Sequence, residues 1–250
     1  MRIYLIGCMP EGKNSDLEER IMKILLAAVN AKYIHSNLAV YSLKAYAEDP
    51  AVEIGEYTIN QQKDDILMDI YKRQPDILCL SCYIWNLDYI EEIVLEIGKL
   101  RPDMPIWLGG PEVSYHAEEM LEQYPFLDGI MKGEGEITFR ELAVYYQNQE
   151  NGTEGKTLEE IHGITYRDAE GAIKSNPWRP VMDLSEVDFP YANLKKFENR
   201  IIYYESSRGC PFSCSYCLSS IDKRLRFRNL DLVQKGLVLF PGTESPQVKF

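Results

Sequence analysis

The chain has 250 residues, 45% hydrophobic and 26% charged, a folded-protein composition with room for one large domain or two ordinary ones. Its formal net charge of -12 argues against a nucleic-acid partner, because phosphate contacts need a clustered cationic surface; residues 223–228 alone are basic, either a seat for one anionic group or a solvated helix entry. No apolar run approaches the roughly 18 residues of a membrane span, and residues 3–9 are too short for a secretory signal, so the expected location is the cytoplasm with no membrane partner.

Residues 1–21 read as an extra strand and loop or as a misassigned start, since Met22 opens the first regular run. From there short apolar runs alternate with helical periodicity. The pattern predicts strands over 23–29, 52–59, 76–81, 105–108 and 128–131, and helices over 38–48, 64–73, 87–100, 116–123 and 136–147. Five βα units in series predict an α/β, doubly wound domain of flavodoxin- or Rossmann-like type over 22–150. Residues 146–160 turn polar and read as a linker, 163–173 as a small hairpin, and 177–194 as a Pro-rich extended connector, giving a linking region over 151–195. Residues 196–250 form the last unit, with a strand over 200–206, a helix near 229–240 and the opening of another strand at 247–250.

A doubly wound sheet binds ligands at the carboxyl ends of its strands. Those ends carry Asn30, His35 and Ser36, then Ser81 and Tyr83, then Gly109 and Gly110, then Gly133 and Glu134. Glycines let a ligand approach the backbone, and hydroxyls and amides can bond its polar periphery; ordinary βα-loop composition is the alternative. Cys79 and Cys82 also form a CxxC, but in an apolar run, where a buried strand residue and its neighbour at the strand end are expected rather than a redox pair.

Cys210, Cys214 and Cys217 form CxxxCxxC directly after the strand at 200–206, with the aromatic Tyr216 before the last cysteine. A structural zinc usually takes four protein ligands, and neither Cys nor His follows Cys217. Three thiolates from one loop can instead cap three irons of a 4Fe-4S cube and leave the fourth open. A two-cysteine zinc knuckle with a spare thiol, or cysteines in a core, are the plainer alternatives.

The cysteine pattern resembles the radical SAM superfamily, in which the open iron chelates S-adenosylmethionine. The strand-end residues in turn resemble the cobalamin-binding pattern DxHxxG, SxL, GG: His35, Ser81 and Gly109-Gly110 fall in register, with residues 39–80 and 84–108 as the gaps. Position 33 is Tyr rather than Asp, 38 is Leu rather than Gly, and 83 is Tyr rather than Leu. Without the aspartate an imidazole lacks the partner that raises its basicity, so His35 is expected to hydrogen-bond the corrin or the backbone rather than ligate cobalt. Together the two patterns resemble the cobalamin-dependent radical SAM proteins. The resemblance implies a 4Fe-4S cluster on Cys210, Cys214 and Cys217, S-adenosylmethionine and cobalamin as cofactors, an electron donor such as flavodoxin or ferredoxin, and a small-molecule or peptide substrate. It implies an enzyme, with methyl transfer to unactivated carbon as the leading reaction. The rival is a corrinoid-binding sensor whose cysteines hold a structural metal. A partial (β/α)6 barrel needs on the order of 190 residues by scaling from an eight-unit barrel, so residues 196–250 are expected to be only its beginning, and the chain inactive alone.

Overall fold

The structure, a computed structural model, describes residues 22–49, 51–191, 193–221, 224–240 and 247–249. The expected extension at 1–21 and Lys223 of the basic run lie outside them. β1 (Ile24–Asn30) is buried at every position, as a strand covered on both faces must be, and it carries no polar side chain before Asn30. It pairs in parallel with β2 (Val52–Thr58) on one side and β3 (Ile77–Ser81) on the other. β4 (Ile106–Gly109) and β5 (Gly129–Met131) continue the parallel sheet. The order β2-β1-β3-β4-β5 is the flavodoxin-like one, with its switch point between β1 and β3.

The crossovers are α1 (Leu38–Ala47), α2 (Lys63–Arg73), α3 (Leu87–Leu100), α4 (Ala117–Gln123) and α5 (Glu136–Asn151). Successive strand residues face opposite ways. Leu25, Ala27 and Val29 therefore join a core with Ile66, Ile70, Ile90, Ile93 and Leu121, while Ile24, Leu26 and Ala28 join another with Val40, Phe139 and Leu142. α5 runs past the predicted end at 147 into the polar stretch expected to be linker. It stops at Gly152, whose left-handed backbone lets its N–H reach the carbonyls of Asn148 and Gln149. The polarity of 147–151 belongs to the outer side of a helix.

The hairpin expected at 163–173 forms as β6 (Ile164–Arg167) and β7 (Ile173–Ser175), and it completes the sheet. β6 runs antiparallel to β5 and β7 to β6, making seven strands among the described residues; the open edge of β5 thereby gains a backbone partner. The connector after 177 is largely irregular, with short 3-10 turns at Leu184–Glu186 and Leu194–Phe197.

The last unit contains β8 (Ile201–Tyr203), β9 (Ser207–Arg208), β10 (Arg226–Phe227), α6 (Leu230–Val238) and β11 (Gln247–Lys249). β8 and β11 pair in parallel, as consecutive barrel strands do, and β9 pairs antiparallel with β10. This unit docks on α1: Tyr191, Phe197 and Ile202 are buried against Leu38 and Tyr41. A polar clasp reinforces the contact. Arg200 Nη1 donates to Glu56 Oε2 at 2.7 Å and Arg200 Nη2 to the His35 carbonyl at 2.7 Å. Glu56 also accepts from Tyr41 Oη, the Asn37 backbone N–H and Asn30 Nδ2.

Candidate functional site

A cavity of about 460 Å³ opens at the carboxyl ends of β3, β4 and β5, between α1 and the start of α5, where a doubly wound sheet places its ligands. Its apolar part comes from Leu26, Val40, Leu43, Cys79, Leu80 and Met131. Ser42, Ser81 and Ser114 bring hydroxyls, and Tyr83 and Tyr115 bring aromatic rings. Ser114 ties two ligand loops together: its Oγ donates to the Gly110 carbonyl at 2.8 Å and accepts from the Gly133 N–H at 3.2 Å. Asn86 does the same at the switch point, donating from Nδ2 to the carbonyls of Val29 and Ser81 and accepting the Tyr83 N–H.

Of the sequence-predicted residues, Ser81, Tyr83, Gly109, Gly110, Gly133 and Glu134 all line this cavity. Burial pushes the Tyr83 hydroxyl above its ordinary pKa, so it stays a neutral donor. Gly110 has φ 118° and a Cβ there would sit 2.3 Å from the Cys82 carbonyl, so only glycine fits. At Gly109 a Cβ would meet nothing closer than 3.7 Å; the missing side chain keeps the cavity open.

Asn30, His35, Ser36 and Tyr216 are not among the lining residues. Asn30 Nδ2 donates to the His35 carbonyl and to Glu56, and Ser36 Oγ to the Ile201 carbonyl at 2.9 Å. His35 Nδ1 meets Tyr203 Oη at 2.7 Å, and the His35 backbone bridges to Ile201. Burial, then Lys249 and Lys32, holds the imidazole pKa below its ordinary value. These three residues serve the junction with β8. Tyr216 is 90% exposed. Cys79 and Cys82 are both fully buried, Cys79 within β3 and Cys82 just past it, and burial raises both thiols, Cys79 to about 12; such thiols do not form a reactive redox pair.

Sequence reading missed the far wall, formed by Glu136, Glu205, Arg208, Leu218 and Ser219. Glu205 and Arg208 lie five and two residues before Cys210, and Leu218 and Ser219 immediately follow Cys217. Arg208 pairs with Glu136 at 2.9 Å and Glu205 at 2.6 Å. Arg226 pairs with Glu134 and donates to the Met182 carbonyl, and Arg228 donates to the Val187 carbonyl. Two members of the basic run, Arg226 and Arg228, thus turn inward to protein partners, while Arg224 stays exposed. Burial works to raise the Glu134 carboxyl, but Arg226, the Met182 N–H and Arg208 outweigh it and leave its pKa lowered.

The cysteine loop starts at Gly209, whose φ is 96° and whose Cβ would lie 2.1 Å from the Arg224 carbonyl. Cys210 is half-buried, Cys214 and Cys217 are exposed, and the Cys217 N–H donates to the Cys214 carbonyl across a turn. Among the described residues, no three His, Cys, Asp or Glu side chains gather into a metal-holding group. The donor set is nonetheless a thiolate one, and three thiols on one loop would have to converge to hold a cluster. The cavity fits part of a corrinoid: glycine-flanked, apolar within and rimmed by hydroxyls and carboxylates that can accept from peripheral amides. No helix among the described residues is long and apolar enough to cross a membrane.

Comparison with known proteins places these observations. Residues 24–143 match the family model "B12 binding domain". The chain is 28% identical over 192 residues to 2-(S-pantetheinyl)-carbapenam-3-carboxylate methyltransferase of Streptantibioticus cattleyicolor, covering 70% of this chain and 27% of that protein. It is 26% identical over 225 residues to the cobalamin-dependent radical SAM methyltransferase TokK of Streptomyces tokunonensis, covering 82% and 31%. The cobalamin-dependent S-adenosylmethionine radical enzyme OxsB, solved with aqua-cobalamin and S-adenosylmethionine bound, superposes with a TM-score of 0.69 at 24% identity, over 87% of this chain and 31% of that one, a likeness of fold. The chain thus spans about a third of the length of the relatives it matches.

Proposed function

We propose that the chain, whose residues 24–143 match the B12-binding domain, is part of a cobalamin-dependent radical SAM protein: it holds cobalamin in the cavity at the strand ends and a 4Fe-4S cluster with S-adenosylmethionine at the cysteine loop, serving methyl transfer to an unactivated carbon of a small-molecule or peptide substrate. One observation carries the reading: the cavity wall is built on one side by the sheet loops and on the other by the residues that bracket Cys210 and Cys217. A ligand in the cavity is therefore a neighbour of whatever the three cysteines hold. Methyltransferases among the relatives support the reaction class.

When bound, the three cofactors would supply reductive cleavage of S-adenosylmethionine and a transferable methyl group, drawing electrons from a donor such as flavodoxin or ferredoxin. The protein's residues do the placing. Gly109 leaves backbone open to the ligand, Ser81 and Ser114 present hydroxyls, and Tyr83 presents a neutral phenol. Leu26, Val40, Leu43 and Leu80 exclude water from the floor. Cys210, Cys214 and Cys217 are the thiolate ligands in this reading, and Tyr216 stands beside them for the S-adenosylmethionine.

Titration with hydroxocobalamin, followed by the visible spectrum and by retention on desalting, tests the first half. Anaerobic reconstitution tests the second: about four irons should bind per chain, and the reduced cluster's EPR signal should change on adding S-adenosylmethionine. Failure to retain the corrinoid removes it from the reading. Zinc in place of iron in protein purified without oxygen removes the radical chemistry.

A further inference from the structure

Arg208 lies in β9, two residues before Cys210, and its guanidinium gathers three carboxylates of the cavity wall. Nη2 donates to Glu136 Oε1 at 2.9 Å and to Glu205 Oε2 at 2.6 Å, Nε to Glu205 Oε2 at 3.1 Å, and Nη1 lies 3.3 Å from Glu134 Oε1. Glu136, 4% exposed, opens α5, where the helix amides favour an anion. Glu134 is shared with Arg226, which sits opposite Arg208 in the β9–β10 pair. Half-buried charges of this kind are tolerated only while each keeps a partner, so the group rearranges as a unit. Gly209 alone separates Arg208 from Cys210, and the Arg224 carbonyl packs where a side chain of that residue would stand, so the backbone linking the two runs closely against the β10 side of the loop.

We propose that Arg208 is a positioning residue that makes the arrangement of the cysteine loop depend on occupancy of the corrinoid cavity, with Glu134 and Glu136 as the sensing side. A ligand that presses on or hydrogen-bonds to either carboxylate changes what remains for Arg208, and the loop follows. This rests on the corrinoid reading above.

The test uses the whole chain without metal, with methylcobalamin in the dark as the probe because its cobalt does not capture free thiols. The alkylation rates of Cys210, Cys214 and Cys217 are read by mass spectrometry with and without the probe. With the probe at a concentration that saturates each variant, Cys210 alkylation should slow about fivefold or more in the wild type and less than about twofold in Arg208→Gln. Arg208→Lys, a point charge that cannot fork between two carboxylates, should fall between. If Arg208→Gln does not fold, Glu205→Gln, which leaves the Arg208–Glu136 pair in place, should show partial loss of protection; full protection in either variant overturns the proposal. So does corrinoid binding to the wild type with no change at Cys210. A wild type that binds no corrinoid overturns the functional reading and this inference with it.

Discussion

The sheet over residues 22–175 and the unit over 200–249 are built from the same βα vocabulary, yet they bury their side chains very differently. In the sheet, strands β1, β3, β4 and β5 are covered on both faces, and Trp107, Phe139 and a set of Ile and Leu side chains are fully enclosed. In the later unit Phe212, Phe227, Leu230 and Val238 are exposed, Leu230 at 75%. A parallel sheet with helices on both sides closes its own core and so fixes its strand-end loops before any ligand arrives. Among the described residues, the later unit has a two-stranded parallel pair and a two-stranded antiparallel one. Its geometry comes from what it touches: α1, the Glu56–Arg200 clasp and the Arg208 carboxylates. The corrinoid side of the cavity is preformed, and the cysteine side is positioned from outside.

The comparison breaks first if the sheet is not the stability-bearing region. Trp107→Ala removes a fully enclosed ring and its indole hydrogen bond to Tyr146; a loss of about 3–5 kcal/mol is expected from urea denaturation. Arg200→Ala should act on the junction instead. Both partners of the Arg200–Glu56 pair are 11% exposed, and leaving Glu56 without it should cost about 3 kcal/mol, local to the docking contact. Proteolysis should then accelerate around residues 195–210 while amide exchange in β1 and β3 stays slow. Loss of protection in both regions together would show one cooperative unit.

Two smaller effects sharpen the contrast. Gly109→Val places a side chain into the cavity where the protein leaves room, so cobalamin affinity should fall tenfold or more, about 1.4 kcal/mol, with the urea midpoint nearly unchanged. His35→Ala should leave cobalamin affinity within about twofold and its visible spectrum unchanged, because the ring is held by Tyr203 outside the cavity. Its pH signature is separate. A histidine with a lowered folded pKa contributes stability above the ordinary value of about 6.5 and loses it as pH falls toward the folded one. The wild type should therefore lose a little stability over that window that His35→Ala does not.

The five βα units were legible because each strand is a short apolar run bounded by turn residues and each helix keeps its period. The strand-end glycines and Ser81 were legible for the same reason, since topology dictates where such residues meet. The end of α5 was not, because Gln147, Asn148, Gln149 and Glu150 look alike on a helix surface and in a linker. The role of His35 was only half legible: its spacing marked the right loop, but its partner Tyr203 lies 168 residues away. The Arg208 wall was hidden for the same cause. Glu136 reads as an ordinary first-turn acid until a chain segment 72 residues later brings it a guanidinium.

The β6–β7 hairpin sets which pole of the molecule the chain departs from. Ile164 lies beside Met131 at the ligand end of the sheet, and the Lys132 N–H donates to the Gly163 carbonyl there. β6 then descends, turns at Asp168 to Gly171, and β7 climbs back, so that the Gly163 N–H meets the Pro177 carbonyl. An even number of passes returns the polypeptide to the pole it left, and Trp178 arrives beside Gly133. The turn at Asp168 to Gly171 is left at the opposite pole, so a fluorophore or affinity handle placed there would report on or immobilise the protein without standing in the path of a corrinoid.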